Sequence, residues 1–254
     1  MIDLEFAKKA FKEYVSSYDE HIGAIKLKII HTYGVMNITE ELCRKMLINE
    51  EDTKLALLIG LLHDIGRFEQ YKRYESFVDY ETVDHAEFAC HLLFEEGLMR
   101  QFIKDDQYDD IIYHSILEHN RYKVEQDYDE HTLFFVHMIR DADKLDNFRV
   151  KETESFETLF KADKGNVEMS TISDCVYETF MNEKLIYGPD RHTHLDMWMS
   201  YVAFIFDLHF PLSKSYISEH DYVNISFNRL TPKDEGTRKK YEEMRQCALA
   251  FIDK

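Results

Sequence analysis

Apolar residues recur every three to four positions through most of the 254 residues, the period of an amphipathic helix rather than the alternation of a strand. Residues 3–16 and 20–36 carry this pattern, the second placing His31 on the face of Leu27 and Ile30, with Gly34 loosening its end. A short helix over 39–48 follows, with Thr39 as its cap. The helix over 52–63 is apolar on every side through LALLIGLL, so it is expected to be buried all round, and it runs directly into His63 and Asp64. The stretch GRFEQYKRYESFVDYETVD is polar and aromatic and reads as a loop rimming that junction. Asp84 then caps a helix over about 85–96 with His85 in its first turn, and helices over 108–120 and 131–148 carry His114 and Asp143.

Beyond residue 150 the segments TESFETLF, STISDCVYETFMNEKL and THLDMWMSYVAFIFDLHF, and a last helix near 233–252, read as packing helices. Thr171 with Asp174 gives a loose capping-box signal there. Only 8 Gly and 3 Pro punctuate the chain, too few for many hairpins, so the fold class is all-α. No linker rich in Gly, Pro or Ser and no internal repeat appears. The expectation is a single domain over 1–254, with a core over about 20–150 and a C-terminal helical extension over about 151–254.

The formal charge of -18 at pH 7 argues against a nucleic-acid surface, which would need Lys and Arg to release counterions. A small ligand is the expected partner; the oligomeric state is left open. Cys43, Cys90, Cys175 and Cys247 stand singly in helical stretches with no CxxC pair and read as buried, reduced thiols. The opening MIDLEFAKKAFKEY is amphipathic rather than a signal peptide, and the longest apolar stretch, YVAFIFDLHF, is too short to span a membrane. A cytoplasmic location is expected.

Candidate chemistry sits in the first 150 residues. His31, the pair His63–Asp64, His85, His114 and Asp143 occur in that order, at intervals of 32, 21, 29 and 29 residues, each on its own helical segment. A bundle can converge such residues on one inward site. Imidazole and carboxylate ligands without cysteine suit iron, manganese, zinc, cobalt or nickel. No GxxxxGK[ST], GxGxxG, GxSxG or HExxH occurs, which removes several other enzyme classes. The remaining histidines, including His192 and His194, read as surface, cap or core residues.

With IIHTYGV, HDIGR, DHAEFA, IIYHSILEHN and RDADKLDN in this order, the chain resembles the HD-domain superfamily of all-helical, metal-dependent phosphohydrolases over roughly its first 150 residues. The resemblance implies an HD-domain helical bundle in which residues matching His31, His63, Asp64 and Asp143 hold one metal. In two-metal members, histidines matching His85 and His114 hold the second, with Asp64 bridging. Two divalent metals per chain and a small phosphorylated or nucleotide substrate follow, with a water ionised between the metals as nucleophile. Arg67 stands where related two-metal members place a phosphate-contacting lysine, although it could instead pair with Glu69 or Asp141. Lys144 resembles the basic residue that follows the last aspartate, in substrate contact or a structural ion pair. His119, five residues after His114, points about 140° away from it on a helix. It is read as a substrate contact, a proton donor or a surface helix end. His114-Ser115 replaces the paired histidines of cyclic-dinucleotide members, and their GYP loop is absent. The alternative activity is that of mixed-valent diiron oxygenases of the same superfamily; a non-catalytic sensor is disfavoured because no ligand position is degraded.

Overall fold

The computed structural model describes residues 2–254, and among these every regular element is helical. Two compact units divide the chain, one ending at Asp143 and the other beginning at Lys144.

The first unit contains α1 (Leu4–Val15), α2 (Gly23–Lys45), α3 (Glu50–Leu62), α4 (Ile65–Tyr74), α5 (His85–Cys90), α6 (Asp109–Glu118) and the greater part of α7 (Glu130–Thr153). Asn49 caps α3 by accepting from Asp52 N at 2.9 Å, and Glu50, Glu51 and Asp52 load its first turn with the charge the helix dipole favours. From Leu55 to Leu62 every residue is buried, as the unbroken apolar run requires. Each of its leucines and isoleucines contributes roughly 1.5–3 kcal/mol by leaving water. This helix is the fixed post on which His63 and Asp64 are mounted.

Two expected boundaries differ. The segments 20–36 and 39–48 form one helix, α2: Thr39 does not cap but donates its hydroxyl back to Val35 O at 2.9 Å, inside a helix that buries Val35, Met36, Ile38 and Leu42. Ile30 lies on its exposed side while His31 is buried. The segment after Asp64, expected as a rim loop, is helical to Tyr74. Its Phe68 packs inward, fully buried and edge-on to Phe11 and Tyr14 at ring distances of 5.9 and 6.2 Å, while Tyr74 at its end is exposed. Only 75–84 is irregular, around a short 3-10 turn at Asp79–Glu81. Asp84 caps α5 as expected, accepting from Ala86 N and Glu87 N at 3.0 Å; regular α-helix ends at Cys90 and a π-helical turn covers His91–Glu95.

The second unit holds α8 (Phe156–Phe160), α9 (Lys164–Met169), α10 (Asp174–Met181), α11 (His194–Val202), α12 (Pro211–Glu219), α13 (Tyr222–Asn228) and α14 (Glu235–Ile252). Trp198 and Phe180 are buried at its centre. Its capping box is formed by Thr193 and Asp196 rather than Thr171 and Asp174. The fully buried Asp196 carboxylate also accepts from Ser173 N and Oγ, binding the start of α10 to that of α11. Cys43 and Cys90 are buried free thiols, but Cys175 is exposed because it lies in the first turn of α10, on its outer side. Among the described residues no helix is long and apolar enough to cross a membrane.

Candidate metal centre

His63 closes α3 and Asp64 precedes the first residue of α4, so the pair occupies a helix junction where backbone direction changes. Asp64 is buried, and its two oxygens face different partners. Oδ2 lies 3.5 Å from His63 Nε2 and 3.7 Å from His31 Nε2. Asp143 Oδ1, delivered by α7, stands 2.9 Å from His31 Nε2 and 3.8 Å from His63 Nε2. Oδ1 of Asp64 lies 3.5 Å from His85 Nε2 and 3.8 Å from His119 Nε2, and these two ring nitrogens are 3.1 Å apart. Within each of the sets His31–His63–Asp64 and Asp64–His85–His119, the ligand atoms lie within 4.8 Å of one another. Asp64 belongs to both. No other such grouping occurs among the described residues.

Ring orientation is fixed from behind. His63 Nδ1 donates to Gly60 O at 2.8 Å and His119 Nδ1 to Ile116 O at 2.6 Å, each an acceptor three residues earlier on its own helix. His85 Nδ1 donates to Asp79 Oδ2 at 2.6 Å. With the proton spent on Nδ1, each Nε2 presents a lone pair to the centre, the arrangement metal-bound histidines use. His85 can approach because Gly66 has no side chain: a Cβ there would stand 2.7 Å from His85 O and 2.8 Å from Ala89 N. The glycine of HDIGR thus lets the start of α4 lie directly on α5.

The sixth ligand position differs from the expectation. His119, not His114, joins His85 and Asp64. His114 is half-buried, its ring beside Tyr113 and Tyr128 with centroids at 5.4 and 4.8 Å. The physical reason is the helical period. On α6, Ile112, Ser115 and Ile116 are buried, and His119 continues that face seven residues after Ile112. His114, two residues after Ile112, points elsewhere.

The two basic residues named from sequence are also held differently. One terminal nitrogen of Arg67 donates to Gln70 Oε1 at 2.9 Å, Phe77 O at 2.8 Å and Asp79 Oδ1 at 2.7 Å. Arg67 pairs with Asp79 and not with Glu69 or Asp141, and its Nε lies 3.6 Å from Asp64 Oδ1, so the guanidinium braces the site wall while also facing the shared carboxylate. Lys144 Nζ forms an ion pair with Asp207 Oδ2 at 3.0 Å, both within the second unit, which favours the structural role over substrate contact. Asp79 and its double contact carry no sequence signal, because they lie in an irregular stretch.

Residues 29–148 match the family model of the HD domain, a span that contains every residue of this constellation. The chain carries an HD domain. Its superfamily is made up mostly of metal-dependent hydrolases, and its members bind divalent metals. No curated protein and no solved structure matches the chain significantly.

The donor set of this HD domain fits divalent metal. His63 Nε2 and Asp64 Oδ1 are buried without any hydrogen-bond partner, a costly state for polar atoms unless a cation satisfies them. Ligation also requires neutral imidazole and ionised carboxylate. Burial, with His85 and His63 nearby, holds the His119 ring well below the ordinary imidazole pKa, and burial lowers His63 as well. Burial alone would raise the Asp64 carboxyl, but Lys28, His63, His85 and Arg67 outweigh it and hold it well below the usual range. Asp143 follows the same balance, with His31 and then His63 prevailing over desolvation.

Proposed function

We propose that this HD domain is a metal-dependent phosphohydrolase with a two-metal centre, acting on a small phosphorylated or nucleotide substrate. The observation that carries the reading is Asp64, whose separate oxygens face two histidine pairs. His31, His63, Asp64 and Asp143 would hold one ion, and Asp64, His85 and His119 the other. Iron, manganese, zinc, cobalt and nickel all suit such nitrogen and oxygen donors. Bound divalent ions supply Lewis acidity toward a phosphoryl oxygen and lower the pKa of a water so that it can attack. The protein's own part is positional. Gly60 O, Ile116 O and Asp79 keep three Nε2 lone pairs aimed inward, Asp64 sets the spacing between the halves, and the buried wall limits water. The overall charge of -18 does not oppose an anionic substrate, because bound cations dominate the local field.

The test is a phosphoester panel with Mn(II)-loaded protein under strict anaerobiosis. Phosphate release from a member of the panel is expected. Oxygen uptake by Fe(II)-loaded protein with a mixed-valent iron signal, and no phosphate release from any ester, would replace the hydrolase reading with the diiron oxygenase.

A further inference from the structure

Lys28 lies one helical turn before His31 on α2, so both side chains leave the same face of that helix. Its Nζ is 2.6 Å from Asp64 Oδ2, the oxygen that also faces His31 and His63. The lysine side chain is 21% exposed whereas Asp64 is 3% exposed, so this residue bridges solvent and the buried donors. The Phe77 ring supports it, with Nζ 5.8 Å from the centroid, and the Arg67 guanidinium stands 5.6 Å from the same centroid. These two cations beside the centre are not equivalent. One terminal nitrogen of Arg67 is tied by Gln70, Phe77 and Asp79 and its Nε lies 3.6 Å from Asp64 Oδ1, while the Lys28 ammonium has three donors and commits one to Asp64 Oδ2. A flexible four-carbon stem lets it move where a braced guanidinium cannot.

We infer that Lys28 contacts the phosphoryl group of the substrate, a role that rests on the phosphohydrolase reading above. Once the Asp64 charge is shared with divalent ions, the ammonium turns from the carboxylate to an adjacent phosphate oxygen and donates a hydrogen bond to it. No proton is transferred and no bond breaks; the lysine offsets negative charge that the chain as a whole does not.

The test uses full-length protein loaded with Mn(II), inorganic phosphate as probe, and the variants Lys28→Met and Lys28→Gln. Elemental analysis reads metal content and calorimetry reads phosphate binding. Both variants are expected to keep the metal content of the wild type and to bind phosphate about ten- to a hundred-fold more weakly, the loss of one charge-assisted hydrogen bond. Lys28→Arg should restore part of the binding. Unchanged phosphate affinity in both variants, beside a wild type that binds phosphate, overturns the role of Lys28 and leaves the hydrolase reading standing. Loss of metal from both variants overturns it as well, because the lysine would then be a support for Asp64. A loaded wild type that binds no phosphate and cleaves no phosphoester removes the hydrolase reading, and this role with it.

Discussion

His31 and Asp143 reach Asp64 from the interior of long helices and His63 from the buried end of α3: α2 has 23 residues, α7 has 24, and α3 is buried over its last two turns. His85 and His119 come from smaller parts. His85 opens a six-residue helix, and His119 closes one of ten. The first half of the centre is therefore held by core packing, while the second depends on a close backbone approach at Gly66 and on Asp79, which is carried by a three-residue 3-10 turn. A ligand fixed by a packed core resists single changes around it. One fixed by a loop carboxylate and a missing Cβ can be lost through residues that touch no metal, so the two halves should fail separately.

The largest effect belongs to the residue both halves share. Asp64→Ala is expected to abolish binding at both positions together with all hydrolysis, as read by elemental analysis after reconstitution. Retention of one tightly held ion would show that the halves do not share a carboxylate. Gly66→Ala comes next. Its methyl would meet the backbone of His85 and Ala89, so α5 must shift, at a cost of about 1–3 kcal/mol for overpacking. Thermal unfolding should show a lower Tm, and metal titration should show the second position weakened while the first persists. An unaltered second position would mean that α5 does not depend on that approach.

The smallest of these effects is expected from Asp79→Ala, which removes the acceptor for His85 Nδ1 and the partner of Arg67. Loss of such an outer-sphere partner costs roughly 10- to 100-fold in metal affinity. Calorimetric titration should find that loss at the second position alone. An equal loss at both positions would mean that Asp79 supports the whole centre through Arg67 and not through His85.

The same division governs how much could be read from the chain. Helix content, the buried α3 and the Asp84 cap follow from apolar period and cap chemistry, and the HD pair with His31 and Asp143 was legible from order and context. The choice between His114 and His119 was legible in principle: the buried stripe Ile112, Ser115, Ile116 passes through His119, whereas resemblance alone selected the earlier histidine. The ion-pair partner of Arg67 was not legible because Asp79 lies in an irregular segment with no periodicity to place it. Lys28 escaped notice for a related reason. A lysine on an amphipathic helix reads as a solvated residue, and only the fold shows that one turn from His31 brings it against Asp64.

The central claim is that one carboxylate joins two metal positions and that His119 completes the second. The most direct measurement is the metal content of wild type, His119→Ala and His114→Ala, purified without chelator and reconstituted with Mn(II) under identical conditions. The account predicts close to two ions per chain in the wild type and in His114→Ala, and one in His119→Ala. A wild type that never exceeds one ion, or a His114→Ala variant that loses an ion while His119→Ala keeps both, would contradict it.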